Sequence, residues 1–314
     1  MNKITILVNT ILNFEFKNFM LLSNSLYNNG KFTVYLGLAE SLMICDGVVK
    51  CKVWKLRKEI AEDDSLSIDD FNLESLESIN YVWVLSFGRR QTFLDLMQIL
   101  WLLEKRTKVF NSVESLMFLN NKHWLGQYMT FKHPETYVSS DSDYLINLYD
   151  ENNEDIWIIK PPAGSMGNGV FKIKPNDCNA RSLIQLMSDQ KSGKYAIFQK
   201  NVSEIKNGEK RVLVVNDRVN CFYLRSPPIN GDFRTNIHQG AESEICELTQ
   251  KEMELCREVG KEFARHGAYF IGIDLVYPYI IEVNVLNPGG LNTVWKLTGE
   301  DYSHVVIDEI FRNL

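Results

Sequence analysis

The sequence predicts an α/β protein assembled from α+β modules, with an open α/β sheet in its N-terminal part. Three observations lead there. Up to about residue 120, short apolar runs alternate with helical patterns, as helices packed on an open sheet require. Beyond that point the runs become short strands separated by turns. The 314 residues suffice for two or three modules rather than one small core.

The elements follow in order. "KITILVN" (3–9) reads as a buried strand, "NFMLLSNSLYNNG" (18–30) as a helix with a glycine stop, and "KFTVYLGL" (31–38) as the next strand. Asp46-Gly47 lies between two alternating runs, a hairpin signal. "AEDDSLSIDD" (61–70) is a polar loop, "NYVWVLSFG" (80–88) a buried strand and 90–106 an apolar helix; strand, loop and helix follow from 107. "TYVSS", "DIWIIKPP" and "GVFKIKP" then read as strands and "NARSLIQLMSDQ" as a helix. "YAIFQK" and "EKRVLVVNDRVNCFYLRSPP" are antiparallel strands with a turn at Asn216-Asp217. "TQKEMELCREVGKEFARHG" (249–267) is an amphipathic helix with a threonine cap and a terminal glycine.

Composition narrows the function classes. Hydrophobic content is 45% and charged content 24%, ordinary for a globular protein. The net charge of −6 and the lack of a basic run speak against a nucleic-acid surface. No apolar run of about 18 residues predicts a membrane span, and the start lacks a signal-peptide cleavage pattern. Six cysteines are scattered without a C-x-x-C pair, the pattern of free thiols in a reducing cytoplasm.

Three constellations carry chemistry. In "IIKPPAGSMGNGVFKI" (158–173), a strand ending at Lys160 enters a loop with Gly164, Ser165, Gly167 and Gly169. Glycines let backbone N–H groups approach an anion closely, and Lys160 adds a charge. No G-K-[ST] follows and the next segment reads as strand, so neither a Walker loop nor a Rossmann fingerprint fits. A plain hairpin is the alternative. Arg211, Arg225 and Arg234 form a basic set, each an ordinary surface charge unless they converge on phosphate or carboxylate. In "GIDLVYPYIIEVNVLNPGG" (272–290), a hairpin centred near Pro278 sets Asp274 opposite Glu282, with Asn284 on the same face and Ile281, Val283 and Val285 on the other. Like charges across a ladder repel; either water solvates them or a cation sits between them. Carboxylates, an amide oxygen and phosphates are the ligands Mg²⁺ prefers.

With these motifs, the sequence resembles the ATP-grasp superfamily, and within it bacterial-type glutathione synthetase. The carrying stretches are the 158–171 loop, "EIKNGEKRVLVVNDRV", "YLRSPP", "FRTNIHQGA", the 272–288 hairpin and, more weakly, "VFNSVESLMFLNNKHW". The resemblance implies an ATP-grasp fold with an N-terminal pre-ATP-grasp domain. Its parts are a substrate-side domain at 1–120, a lid subdomain with the glycine loop at 121–198, and a C-terminal subdomain at 199–314. It implies ATP on Lys122, Lys160, Gln199, Glu209 and the 164–169 loop, including Met166. Two Mg²⁺ ions, with Mn²⁺ as an alternative, would sit on Asp274, Glu282 and Asn284. Arg211, Arg225 and Asn236 would stabilise the reacting phosphate and acyl group.

The reaction so implied joins a carboxylate to an amine through an acyl phosphate, in a cytoplasmic homo-oligomer (dimer or tetramer). One departure concerns the substrate. Glutathione synthetases follow the strand equivalent to 80–88 with an arginine–lysine–aspartate–proline–proline segment, and here "SFGRRQTF" stands there. Arg89, Arg90, Arg234 and the Pro288-Gly289-Gly290 turn are the candidate substrate contacts, the turn through its N–H groups or merely as the cap of the sheet.

Overall fold

The computed structural model describes residues 1–9, 18–64, 66–126, 131–164, 167–228, 234–235 and 240–312. Three sheets organise these residues. In the first, β1 (Asn2–Val8) lies between β2 (Phe32–Leu38) and β6 (Tyr81–Val84), and β7 (Lys108–Phe110) follows, all parallel. Antiparallel β4 (Val48–Lys55) joins β2 and pairs with β3 (Met43–Cys45) and β5 (Asn72–Ser75). Asp46 and Gly47 take φ of 48° and 76°, the left-handed pair that a two-residue hairpin matching strand twist requires. The parallel strands are covered on both faces, so α1 (Asn18–Asn28) and α2 (Phe93–Leu103) lie in different cores.

The second sheet runs β10 (Phe171–Ile173), β9 (Trp157–Lys160), β11 (Ala196–Lys200), β8 (Thr136–Ser139), all antiparallel. It has its own core, in which Trp157 stacks on Phe198 with centroids 4.6 Å apart. The third runs β14 (Glu242–Glu244), β13 (Arg218–Ser226), β12 (Glu209–Val215), β15 (Phe270–Val276), β16 (Tyr279–Asn284). Helix α6 (Gln250–Arg265) covers one face of it and starts at a capping box between Thr249 and Glu252. The period of two divides β12: Val212 and Val214 face α6, while Leu213 and Val215 join the core of the first sheet.

Three helices lie where the sequence reading assigned none. In α4 (Ser142–Glu151), Asp141 caps Asp143 and Tyr144 while Leu145, Ile146 and Tyr149 are buried. The others, α7 (Leu291–Thr298) and α8 (Ser303–Ile310), return the chain to the first sheet, where Val306, Ile307 and Ile310 join its core. Phe311 then packs on Phe32, Tyr81 and Phe110 with centroids 4.7 to 5.5 Å apart. No helix among the described residues is long and apolar enough to cross a membrane, and all six cysteines are free.

One polar side chain joins the first and third sheets. Asn111, 2% exposed, donates to the carbonyls of Phe270 and Val285 and accepts from the N–H groups of Tyr269 and Phe270. Next to it, Ser112 bonds to the Gly267 and His266 carbonyls. A Cβ on Gly267 would stand 2.2 Å from Ser112 Oγ, so only glycine admits this approach. Replacing Asn111 with leucine strands four backbone groups in the interior. Denaturant unfolding is expected to show a loss on the order of 3 kcal/mol or more, and a loss below about 1 kcal/mol would rule out this side chain as the joint.

Candidate active site

Alternation along two strands of the second sheet creates half of a cleft. Trp157, Ile159, Ala196 and Phe198 point into the local core. Ile158, Lys160 and Gln199 point the other way and line a cavity of about 100 Å³ with Glu209, Asp274 and Glu282 of the third sheet. Lys160 Nζ donates to Gln199 Oε1 at 3.0 Å, and Gln199 Nε2 donates to Thr136 Oγ1 at 2.9 Å. Thr136 in turn donates to the Pro134 carbonyl at 2.6 Å, which leaves its oxygen to accept from Gln199 and fixes the amide. Burial pushes the Lys160 ammonium down to about 8, aided by Lys122 and opposed by Glu282 above all.

The other half is one face of the third sheet. Residues directly opposite in a ladder share a face, so the register sets Arg225 beside Glu209, and Arg211, Asp274 and Glu282 in one row. Arg225 is 3% exposed and binds Glu209 Oε1 through Nη2. The same Nη2 lies 2.7 Å from Asp274 Oδ1, and Arg211 Nη1 lies 3.1 Å from that oxygen. Thr235 adds a hydrogen bond to Glu209 at 3.0 Å. Burial raises the Glu209 carboxyl, and Arg225 pulls it back. For Arg225, burial works against the charge, but Asp274 and Glu209 outweigh it and the guanidinium stays charged. Asn284 is satisfied at both ends when its oxygen accepts from Arg211 Nη1 at 2.7 Å and its nitrogen donates to Glu282 at 3.3 Å.

Several buried polar atoms on this face have no aligned partner: Asp274 Oδ1, Arg211 Nε and Arg225 Nε. Asp274 Oδ1 is within ion-pair distance of two guanidinium groups, yet neither contact has hydrogen-bond geometry. Such atoms are costly in an interior unless a ligand meets them. The donor set fits a hard cation: two carboxylates facing across a ladder with an amide two residues on. Among the described residues no cluster of three or more His, Cys, Asp or Glu exists, so phosphate and water would complete such a shell. A larger cavity, about 570 Å³, lies between α1, residues 59–62 and α7–α8; it contains none of these groups.

The glycine loop bridges β9 and β10. Gly167 and Gly169 adopt φ of 72° and 70°, where only glycine is unstrained. Lys122 Nζ donates to the Gly164 carbonyl at 2.9 Å and pairs with Glu282 Oε1 at 3.1 Å. Arg234 Nη1 donates to the Gly167 carbonyl at 3.1 Å, and Arg90 Nη1 to the Ala163 carbonyl. Arg89 lies apart from the loop, 3.5 Å from Glu40. Pro288, Gly289 and Gly290 are brought to the site: Gly290 caps α7, and its Cβ position lies 3.6 Å from Arg211 Cγ. This turn follows the end of β16 and leads into α7. Ser165, Met166 and Asn236 lie outside the described residues.

One expectation is corrected. Ile281 lines the cleft with Glu282 instead of facing away from it. The cause is a bulge: Asp274 pairs with Glu282 but Leu275 pairs with Ile280, so Ile281 is the extra residue. Val283 and Val285 do face the α6 core. Sequence reasoning missed Thr136, Thr235 and Gly272. Gly272 pairs with Asn284, and a Cβ there would stand 2.9 Å from Arg211 Nη1 and 2.8 Å from the Pro288 carbonyl. A glycine opposite Asn284, in a strand otherwise buried and branched, was the available signal.

Comparison with known proteins identifies the family and the fold. The family model for the prokaryotic glutathione synthetase ATP-grasp domain matches residues 121–299. Glutathione synthetase of Prochlorococcus marinus subsp. pastoris is 32% identical over 206 residues, 66% of this chain and 66% of that protein. That of Synechococcus elongatus is 31% identical over 195 residues, 62% of this chain and 59% of that protein. The chain thus spans slightly less than two thirds of the length of these relatives. Among solved structures, ATP-grasp ligase PsnB complexed with a minimal precursor superposes with a TM-score of 0.63 at 16% identity, covering 100% of this chain and 99% of that one. D-cycloserine synthetase DcsG gives 0.68 at 10% identity, with 98% of each chain covered. At such identities the likeness is one of fold: the chain has the ATP-grasp fold.

Lys160 supplies a pH test of the cleft. Its proton is held to about 8 against an ordinary 10.5. Between those values the unfolded chain binds more protons than the folded one, so stability rises with pH; below 8 the cost of the buried ammonium is felt in full. In denaturant titrations of the nucleotide-free protein, wild type is expected to gain on Lys160→Met by on the order of 2–3 kcal/mol between pH 7 and 10. A gap that stays constant over that range would refute the buried, proton-shedding state.

Proposed function

Because the chain belongs to the prokaryotic glutathione synthetase ATP-grasp family, we propose that it is an ATP-dependent carboxylate–amine ligase acting through an acyl phosphate. The carrying observation is the row Arg211–Asp274–Glu282 on one sheet, facing Lys160 of another across a cleft. Lys122, Lys160, Arg211 and Arg225 outnumber Glu209, Asp274 and Glu282 there, which favours an anionic guest. Phosphoryl transfer needs placement and charge neutralisation rather than a protein nucleophile.

On this reading Lys160 and Lys122 neutralise the nucleotide phosphates, and the loop at 164–169 covers them. The purine lies toward Ile158, Val202 and the strand end at Gln199–Asn201, with apolar contact from Ile281. Asp274, Glu282 and Asn284 would hold Mg²⁺, as two ions or with Mn²⁺ in their place, and the metal would supply positive charge to offset that of the phosphates. The acceptor carboxylate attacks the γ-phosphorus and ADP departs. Arg211 and Arg225 turn their unpartnered Nε donors to the transferring group, and Asn236 completes the set. The amine then attacks the acyl carbon and phosphate leaves. The division into 1–120, 121–198 and 199–314 follows the three sheets except at its second boundary, which cuts β11 and leaves Gln199 and Lys200 of the second sheet in the third part; the nucleotide lies between the second and third sheets. A cytoplasmic homo-oligomer belongs to the same reading.

The names of the relatives support γ-glutamylcysteine and glycine as substrates. One observation favours a second reading, a ligase for another amino acid or a peptide. The segment "SFGRRQTF" replaces the proline-rich substrate segment, and Arg89 and Arg90 turn to Glu40 and Ala163. A coupled assay of ADP release with ATP, Mg²⁺, γ-glutamylcysteine and glycine separates the two. Substrate-dependent release is expected under the first reading, and its absence leaves only the second. Under either, Glu282→Gln is expected to lower ligation about 100-fold or more through lost metal binding, with the thermal midpoint little changed. Ligation at the wild-type rate would sink the metal assignment.

A further inference from the structure

We propose that Arg90 is a positioning residue for the glycine-rich loop: reaching from the first sheet, it fixes the peptide plane that presents the Gly164 N–H to the nucleotide phosphates. The proposal rests on the reading of that loop as the nucleotide seat.

The local sequence makes this plane matter. After Lys160 come Pro161 and Pro162, which have no N–H. The first donors the loop can offer an anion are therefore Ala163 and Gly164. Each N–H shares a rigid plane with the carbonyl of the residue before it, and in a trans peptide the two point in opposite directions. The 162–163 and 163–164 peptides are trans. Whatever holds the Pro162 and Ala163 carbonyls thus aims the Ala163 and Gly164 donors the other way.

Both carbonyls are held. The Lys122 N–H donates to the Pro162 carbonyl at 2.9 Å, and Arg90 Nη1 donates to the Ala163 carbonyl. The next carbonyl, Gly164, receives Lys122 Nζ at 2.9 Å. Released from these grips, the planes can turn and direct carbonyl dipoles at the phosphates, reversing attraction into repulsion. Of these grips, Arg90 alone comes from the first sheet; it lies in the turn 90–92 between β6 and α2. A guanidinium is suited to the task because it stays charged and donates in a fixed plane.

The assignment separates Arg90 from a substrate ligand, because its effect needs no acceptor present. The test measures binding of Mg·AMPPNP and of AMP by calorimetry, with neither acceptor nor amine added. Arg90→Ala is expected to bind Mg·AMPPNP about 3- to 10-fold more weakly. Arg90→Lys should fall between the two, and AMP affinity should stay at the wild-type value; Arg106→Ala, which removes an exposed arginine paired with Glu77 away from the loop, should match wild type for both ligands. Wild-type affinity for Mg·AMPPNP in Arg90→Ala would overturn the proposal. So would an equal loss for AMP, the mark of a general structural defect. Failure of wild type itself to bind Mg·AMPPNP would overturn the nucleotide reading, and the Arg90 assignment with it.

Discussion

Asp274 is a carboxylate buried to 6% exposure between two guanidinium groups, and the geometry of the cleft follows from that burial. Taking an ion out of water costs several kcal/mol even after relaxation, so each buried charge must be matched in place. Arg225 answers Asp274 and Glu209 together, and Thr235 occupies a further lone pair of Glu209. Arg211 answers Asp274 from the neighbouring strand and reaches Asn284 with the same Nη1. Glu209, Arg211, Arg225, Asp274 and Asn284 are each placed by a ladder register, so none of them can shift alone. The matching is incomplete in a directed way: Asp274 Oδ1 is ion-paired to both guanidinium groups without an aligned hydrogen bond, and the Nε–H donors of Arg211 and Arg225 are left over. A face held rigid with two unmet donors favours an anionic ligand.

Rigidity on that face depends on cores elsewhere. Each strand that presents a charge toward the cleft anchors it with apolar neighbours on the reverse side. In β15, Ile271, Ile273 and Leu275 enter the α6 core while Asp274 faces out; in β9, Trp157 and Ile159 do the same for Lys160. The first and third sheets share one core through Leu213, Val215, Phe270 and the C-terminal helices, and Asn111 closes the polar joint between them. The second sheet has a separate core. It carries the glycine loop between β9 and β10.

What was legible in the sequence follows from period. The hairpin at 272–284 could be read because alternation fixes which residues share a face, and Asp274 does oppose Glu282. The reading failed at Ile281, because one extra residue in the ladder shifts the count and no local signal announced it. Helix α4 had an aspartate cap and a buried stripe, yet its mean polarity concealed it. Helices α7 and α8 are short, and their apolar faces are matched by α1 and the first sheet, partners from the N-terminal part of the chain. The convergence of arginines could be suspected but not read, since Arg225 meets Asp274 only through the order β13-β12-β15. The directions of Arg89 and Arg90 were beyond reach for the same reason: loops have no period.

The least legible part of the site is also mechanically tied to the most legible. At Gly272 the absent side chain leaves space that Arg211 Nη1 and the Pro288 carbonyl both enter. The turn after Asn284 therefore packs against the arginine that holds Asp274 and Asn284. Its far end, Gly290, rests against Tyr223, the ladder partner of Arg211. At Asn287 the turn is tied to Asn18, the first residue of α1, by a hydrogen bond of 3.1 Å. Three consecutive contacts thus run from the first sheet's helix, through the Asn287–Gly290 turn, to the charged row. A displacement of this turn would press on Arg211, the side chain that contacts both Asp274 and Asn284. Under the proposed function, recognition on the acceptor side and charge placement on the phosphate side would share that one arginine.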